Sequence, residues 1–293
     1  MSESSKTDKK SKKTVFLIDN NTGETEQLVS ITSDHVLLHK SSMEAYKKKK
    51  ELEEQQEKNK GKNWVAGYHE PIKQISHQLE LHEAGAIMKL LLYLHFKQEG
   101  KLIKEGRPLN TTEMQNIFGR KRTQTSQILK KLVSLEILEK KKEGRSTVYY
   151  INSHFHTIGE TIKKGTSFTK LYKAKATEVL EKVDLFEAGM LYKVLPYFHF
   201  QTYYLCANPD EEDLNALDHL TQEALADLIG HDVKTVSHYM SHLEDQGVLM
   251  IQKQSNTKRY LIHPDLMFRK EFEDEHTRVV RFQFEQLKKG RKR

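Results

Sequence analysis

One stretch of the chain decides its fold, and it reads TQEALADLIG at residues 221–230 and VKTVSHYMSHL at residues 233–243. The threonine that opens the first segment is a good helix cap, and the glycine that closes it permits a tight turn. We therefore predict two short helices joined by a turn. The side chains expected to face the core are Ala224, Leu225, Leu228, Val236, Met240 and Leu243. Two β-strands, at 250–253 and 258–262, are predicted to follow around a polar tip at 255–256.

The same pattern occurs twice in the chain. The tripeptide EAG at 83–85 returns at 187–189, which is 104 residues later. After a seven-residue insertion the register resumes at an offset of 111, so that Gly119 corresponds to Gly230. The order of helix, turn, helix and hairpin resembles a winged helix-turn-helix, and we predict two tandem copies of it, called copy one and copy two below.

We predict a mainly α protein of the α+β class, with two tandem winged helix-turn-helix domains, an N-terminal β-hairpin and a C-terminal strand. The length of 293 residues suits two domains of about 100 residues each, plus termini. The predicted divisions are an N-terminal basic tail, hairpin and charged linker at 1–62, copy one at 63–157, copy two at 158–267, and a C-terminal extension with a basic tail at 268–293.

Each copy is expected to open with a long amphipathic helix. Its apolar positions in copy one are Leu79, Ala86, Leu90, Leu91, Leu94 and Phe96. The corresponding set in copy two is Leu185, Met190, Leu191, Val194, Leu195 and Phe198. Pro196 stands where copy one has Leu92, which predicts a kink in the second helix. A helix containing Phe168–Leu180 is predicted to join the two copies.

Both copies carry side chains suited to double-stranded DNA. A recognition helix fits the major groove, while cations on helix ends and hairpins neutralise phosphates. In copy one we predict DNA contacts from Arg120, Lys121, Arg122, Thr123, Gln124, Ser126, Gln127, Lys140, Lys141, Lys142 and Arg145. In copy two the predicted contacts are Lys234, Thr235, Ser237, His238, Ser241, Lys253, Lys258 and Arg259. Copy two has the weaker set of cations, so an alternative is that it serves as a dimerisation module.

The composition supports a polyanionic partner. The formal net charge is +7 and the isoelectric point is about 9.1, which favours association with nucleic acid. The lysine-rich start of the chain has no apolar core, and no run of about 18 apolar residues is present, so we expect a cytoplasmic protein without a membrane partner. The single cysteine, Cys206, excludes an internal disulfide and is interpreted as a small apolar residue. No cofactor is expected.

The two ends of the chain show β-like patterns. The segments 14–18 and 27–31 flank turn residues at 20–23, which predicts a hairpin. The segment 43–62 is almost entirely Lys, Glu and Gln, which is typical of a charged helix or linker. Near the other end, apolar side chains alternate with polar ones through 280–284, which predicts a strand. Pairing of this strand with 14–18, within one subunit or between two, would complete the sheet and in the second case make a homodimer.

Three short segments resemble firmicute plasmid replication proteins of the RepL type. They are LIDxxTGE at 17–24, the stretch from LExxGV at 243–248 to IHPDLM at 262–267, and VRFQF at 280–284. The tandem pair is also similar to the two-winged-helix architecture of iteron-binding plasmid initiators. Both resemblances imply an initiator that binds origin DNA and recruits host replication machinery. The chain departs from the RepL pattern by carrying a second module.

Other functions compete with this interpretation. A transcription regulator bound to an operator uses the same module, as does a partition-type centromere-binding protein. The run HFH at 154–156 matches the histidine pair of rolling-circle nucleases, with Tyr172 or Tyr203 as the nucleophile. Its register, at the exit of the copy-one hairpin, argues against that role. His238 and His242 have the spacing of metal ligands, but phosphate contact is favoured there. No phosphate-binding loop motif is present, and we expect no enzymatic activity.

Overall fold

The protein is described here by a computed structural model that covers residues 13–18, 25–31, 63–96, 98–159, 162, 164–254 and 257–290. The chain divides into two compact units, Met1–Lys58 and Asn59–Arg293. In the first unit, strands β1 (Lys13–Ile18) and β2 (Thr25–Ile31) pair antiparallel, which confirms the predicted N-terminal hairpin. Several predicted features lie outside the described residues, namely the tail at 1–12, the turn at 20–23, the charged segment at 43–62, the hairpin tip at 255–256 and the last residues at 291–293.

The second unit mixes α-helices with small β-sheets. Its first half contains β3 (Trp64–Tyr68), α1 (His69–Ser76), α2 (Leu81–Leu90), β4 (Ile103–Lys104), β5 (Arg107–Pro108), α3 (Thr111–Phe118), α4 (Arg122–Ser134), β6 (Leu138–Glu143), β7 (Ser146–Ile151) and β8 (His156–Thr157). Its second half contains β9 (Phe168–Tyr172), α5 (Lys173–Leu180), α6 (Leu185–Val194), α7 (Gln222–Ile229), α8 (Val233–Asp245), β10 (Leu249–Gln254), β11 (Thr257–Ile262), β12 (Met267–Phe268) and α9 (Glu275–Gly290). Among the described helices, none combines the length and the apolar character needed to cross a membrane.

The two copies share one four-stranded sheet, with strand order β12, β9, β3, β8. The central strands β3 and β9 are antiparallel, and Ala66 lies opposite Lys170, its own counterpart 104 residues later. On either side of that pair, Trp64 lies opposite Tyr172 and Tyr68 lies opposite Phe168. Each copy therefore contributes equivalent strands to equivalent places, and an approximate two-fold axis passes through the Ala66–Lys170 pair.

The core helices α2 and α6 cross on the same axis. A Cβ atom added to Gly85 would lie 1.8 Å from the carbonyl oxygen of Leu185, and one added to Gly189 would lie 1.8 Å from that of Leu81. Only glycine allows the backbones to approach so closely. The EAG tripeptide that marks the repeat is therefore the crossing point of the two copies, and one continuous apolar core surrounds it.

Several predictions about the core helices need correction. Phe168–Tyr172 is a strand rather than helix, because it completes the central sheet beside β3, and the helix begins at Lys173. Pro196 does not kink the helix. Both α2 and α6 pass into a single turn of 3₁₀ helix, Leu91–Tyr93 and Leu195–Tyr197, and the first of these has no proline. Phe96 was expected in the core but is 55% exposed.

The inward faces of the helix pair in copy two are largely as predicted. Val236, Met240 and Leu243 of α8 are fully buried, which confirms that face. In α7 the inward face is turned by one position. Its fully buried side chains are Leu225, Ala226 and Ile229, while Ala224 and Leu228 are only partly buried.

The C-terminal strand prediction is wrong, because the segment forms helix α9. Val280 and Phe284, one turn apart, are buried on one side of this helix, and Phe282 is 58% exposed on another. The helix begins after Asp274, whose carboxylate accepts a hydrogen bond from the backbone N–H of Thr277 at 2.8 Å. This is an N-cap interaction. The predicted pairing of this segment with 14–18 as two strands is therefore also wrong, because the segment is not a strand.

Candidate nucleic-acid interface

The helix pair of copy one is built by local capping. The side chain of Asn110 accepts a hydrogen bond from the N–H of Glu113, and the Glu113 carboxylate accepts one from the N–H of Asn110, both at 2.9 Å. This reciprocal box fixes the start of α3. Gly119 ends the helix in the left-handed conformation, with φ of 61°. The chain then turns and enters α4, which starts at Arg122.

Helix α4 has one buried face and one exposed face. Its buried side chains are Thr125, Ile128, Leu129 and Leu132. The predicted DNA contacts Lys121, Arg122, Thr123, Gln124 and Gln127 are exposed, and Ser126 is half-buried. Gln124 and Gln127 line a shallow cleft together with Arg120, His82 and Phe186. The structure thus brings most of the predicted copy-one helix residues to one surface.

The hairpin of strands β6 and β7 follows α4, contacts it through β6 and carries a second set of cations. The segment before β4 lies alongside β7, where the N–H of Leu102 donates a hydrogen bond to the carbonyl of Tyr149 at 3.1 Å. Lys141 makes an ion pair with Glu139 at 2.7 Å, and this hydrogen bond raises the pKa of Lys141. Glu143 is bound by Lys101 at 2.6 Å, which lowers the pKa of Glu143. The charges on this side of the hairpin largely compensate one another.

Three cations of the copy-one hairpin remain outside the ion pairs described above. Lys140, Lys142 and Arg145 are exposed, and within the described part of the chain none of them forms an ion pair. Lys140 and Lys142 alternate with Lys141 along β6, so they lie on the opposite face of the strand. Sequence reasoning grouped all four cations, but the structure separates Lys141 from the others.

The helix pair of copy two is capped in a similar way. The hydroxyl of Thr221 accepts a hydrogen bond from the N–H of Ala224 at 3.2 Å, and α7 ends at Gly230, which has φ of 72°. Asp232 caps α8 by accepting the N–H of Thr235 at 2.9 Å. The hydroxyl of Thr235 also donates to Asp232, so this predicted DNA contact is already engaged in the cap.

The exposed side of α8 is rich in histidine rather than in cations. Lys234 and His238 are exposed, and Ser237 and Ser241 are half-buried. The rings of His238 and His242 are 4.2 Å apart, and Nδ1 of His242 lies 3.3 Å from Oε1 of Glu187 in the core helix α6. Among the described residues, no group of three or more potential ligands is arranged to hold a metal ion.

The copy-two hairpin offers fewer free cations. Lys253 is exposed and lies directly opposite Lys258 in the hairpin register. Lys258 is half-buried and donates from Nζ to the side-chain oxygen of Gln222 at 3.2 Å. Arg259 is also half-buried. One exposed cation in the described part of this hairpin contrasts with three exposed cations that lack ion-pair partners among the described residues on the hairpin of copy one.

A buried lysine, missed by sequence reasoning, fastens the copy-two helix pair to copy one. Lys193 is 1% exposed, and its ammonium donates to the carbonyls of Ser76 at 2.8 Å and Ile229 at 2.9 Å. It also lies 2.8 Å from Nε2 of His231. Burial lowers the pKa of Lys193 to about 8. Its counterpart, Lys89, donates to the carbonyls of Leu180 and Val183, and within the described part of the chain it does not reach the turn of its own helix pair.

The nuclease motif does not form a ligand pair. His156 is buried, and its ring nitrogens lie 3.1 Å from the carbonyl of Ala66 and 2.9 Å from the hydroxyl of Tyr192. Burial lowers the pKa of His156 to about 4, while His154 is exposed. The phenols proposed as nucleophiles, Tyr172 and Tyr203, are buried, which raises the pKa of both. The two histidines and the two tyrosines therefore do not form a nuclease site, and the buried ones have structural roles.

Comparisons with models of known protein families and with curated proteins find no match for this chain. The case for a function therefore depends on the residues and the geometry described above.

Proposed function

We propose that this chain is a sequence-specific double-stranded DNA-binding protein built from two winged helix-turn-helix modules. Three features of each copy support the assignment. A core helix is followed by an edge segment, a capped helix pair and a β-hairpin, in that order. The edge segment pairs with the second strand of the hairpin, through Leu102 and Tyr149 in copy one and through Leu205 and Tyr260 in copy two. The second helix of each pair buries one face and exposes a polar one.

Two exposed features of copy one carry the proposal: the cations of its hairpin and the polar face of α4, the helix that contacts strand β6. Lys140, Lys142 and Arg145 are not neutralised by any described carboxylate, so they remain available to phosphates. Each phosphate that a cation neutralises releases condensed counterions, which favours binding at low salt. Arg122, Gln124 and Gln127 are of the residue types that read base edges in the major groove.

The two-fold relation of the copies determines how we expect the half-sites of the DNA to be arranged. Symmetric helix-turn-helix dimers bind inverted half-sites, because their recognition helices are related by the same axis. In a single chain of this protein the central strands and the core helices of the two copies have such a relation. The residues on α4 and α8 differ, however, with Gln124 corresponding to Thr235 and Gln127 to His238. We therefore infer a site composed of two unlike half-sites in inverted orientation.

Within DNA-binding proteins, we propose replication initiation at a plasmid or phage origin. The support is the resemblance of the segments 17–24 and 243–267 to initiators of the RepL type, and the tandem arrangement of the modules. The third segment, 280–284, is helical, so it supports the proposal only as sequence. An initiator of this kind binds origin DNA and recruits host replication proteins.

Two experiments, carried out one after the other, test the proposal. Selection of the full-length protein on random duplexes should return one motif, and Gln124→Ala should relax it at one or two base pairs of a single half-site. Failure to enrich any motif would contradict sequence-specific binding. The gene with its flanking DNA should then support autonomous replication of an origin-less fragment in a firmicute host. Specific binding at promoters without replication would instead identify a transcription regulator.

A further inference from the structure

The helix pairs of the two copies meet on one aromatic ring. Phe186 lies in the first turn of the core helix α6, next to its counterpart His82 in α2, with ring centroids 5.9 Å apart. The guanidinium of Arg120, from the turn that precedes α4, lies 5.5 Å from the centre of the Phe186 ring. Tyr239, from the middle of α8, stacks on the same ring at 6.0 Å with an interplanar angle of 5°.

The contacts of Phe186 with Arg120 and His82 join elements that belong to different copies. Arg120 is held to α3 by its own backbone, because its N–H donates to the carbonyl of Gln115 at 3.1 Å. The Arg120–Phe186 contact therefore links the helix pair of copy one to the core helix of copy two. Tyr239 links the same ring to the candidate recognition helix of copy two. Phe186 is thus a shared contact between the two predicted DNA-reading elements.

We propose that Phe186 is a positioning residue that fixes the distance and rotation between the two recognition helices, and hence the spacing of the two half-sites in DNA. The inference rests on the proposed function. A protein that holds two reading helices rigidly requires a fixed number of base pairs between half-sites. One extra base pair moves the second half-site by about 3.4 Å and rotates it by about 35° around the helix axis.

The ring is well suited to this role. It is partly exposed, and the cleft lined by Gln124, Gln127 and His82 runs beside it, so a smaller side chain leaves room for the helix pairs to move. A cation above an aromatic ring and an offset stack are directional contacts, whereas aliphatic packing is not. Phe186→Leu should therefore keep much of the apolar packing but lose the orientation that Arg120 and Tyr239 receive.

The test uses duplexes that carry the selected site with its spacer shortened or lengthened by one base pair at a time. For the wild-type full chain we expect a loss of about tenfold or more in affinity for each one-base-pair change, as the contacts of one half-site are lost. For Phe186→Ala and Phe186→Leu, the preferred half-site sequences should be unchanged, while the loss on changing the spacer should fall to about threefold. Phe282→Ala, which removes an exposed ring from α9, is the matched control and should behave as wild type.

The outcomes separate the inference from the proposed function. Absence of specific DNA binding in the wild type would remove both. Specific binding with no dependence on the spacer would overturn the inference alone, since only one module would then read DNA. An unchanged spacer dependence in folded Phe186→Ala and Phe186→Leu would also overturn it. Thermal unfolding of each variant establishes that the comparison is made between folded proteins, and Phe186→Leu serves where the alanine variant fails to fold.

Discussion

Copy one and copy two share a fold but differ in how their helix pairs are held. In copy two, Lys193 ties the turn between α7 and α8 to the end of α1, and the ring of His77 lies beside Gly230, where a Cβ atom would be 2.8 Å from its Nδ1. In copy one, Lys89 does not reach the corresponding turn, and no atom of the described residues lies within 4 Å of a Cβ atom placed on Gly119. The helix pair of copy two is therefore fastened to the shared core more firmly than that of copy one.

Exposed cations are more numerous on the hairpin of the less firmly anchored copy. The hairpin of copy one exposes three cations without ion-pair partners among the described residues, whereas the hairpin of copy two exposes only Lys253 in its described part. A duplicated module has thus diverged into a firmly anchored copy and a more cationic, less anchored one. We infer that copy one contributes most of the phosphate affinity and that copy two contributes a fixed orientation.

The largest losses of stability are expected at the crossing of α2 and α6, where the two copies are equivalent. Gly85→Ala and Gly189→Ala should each destabilise the protein by about 3 kcal/mol or more, because the added methyl meets a backbone carbonyl and the helices must separate. Urea denaturation of both variants measures the free energy of unfolding. A mild effect of either substitution, or a large difference between them, would contradict the symmetric crossing of α2 and α6.

The next largest loss of stability should differ between the two copies. Lys193→Met should cost about 2 kcal/mol, because the carbonyls of two buried residues each lose a strong charged donor. Lys89→Met should cost less than about 1 kcal/mol, since Lys89 is only partly buried and water can replace it. The same denaturation experiment compares them. Equal losses for the two variants would show that the anchoring of the copies does not differ.

A smaller difference is expected at the two turns. Alanine at Gly119 or Gly230 must adopt the left-handed conformation, which costs about 1 kcal/mol or more at either position. Gly230→Ala should cost about 1 kcal/mol beyond that, because its methyl displaces His77. Differential scanning calorimetry on the pair provides the comparison. A higher cost at Gly119 would reverse the order of anchoring that we infer.

Much of the fold could be predicted from local signals. The cap at Thr221 and the glycines at 119 and 230 marked the helix pairs, and the repeat register marked the second copy. The segment 280–284 misled, because its alternating pattern also places Val280 and Phe284 one helical turn apart. Asp274 and Thr277, three residues apart, were the cap signal that would have identified the helix.

The interface between the copies could not be predicted in the same way. Strands β3 and β9 are short and pair across 104 residues, and no local pattern specifies such a partner. Lys193 looked like an ordinary charged residue on a helix, and its burial depends on carbonyls from both copies. Phe186 and Arg120 are likewise neighbours only in the folded chain. The exposed cations of the hairpin were found from sequence, but the compensation of Lys141 by Glu139 required the structure.

The central claim is that copy one supplies most of the phosphate contacts. Its direct test is the salt dependence of DNA affinity for two triple-alanine variants. The copy-one variant replaces Lys140, Lys142 and Arg145, and the copy-two variant replaces Lys253, Lys258 and Arg259. Lys141→Ala is the matched control within the same hairpin, because its ammonium is already paired with Glu139.

The measurement is the slope of log affinity against log salt concentration on the selected duplex. We expect the copy-one variant to lower the magnitude of the slope by about 2.7, which corresponds to three lost phosphate contacts, and the copy-two variant to lower it by about 0.9. Lys141→Ala should change it by less than either. An unchanged slope in the copy-one variant, or an equal loss in the copy-two variant, would contradict the division of roles between the two copies.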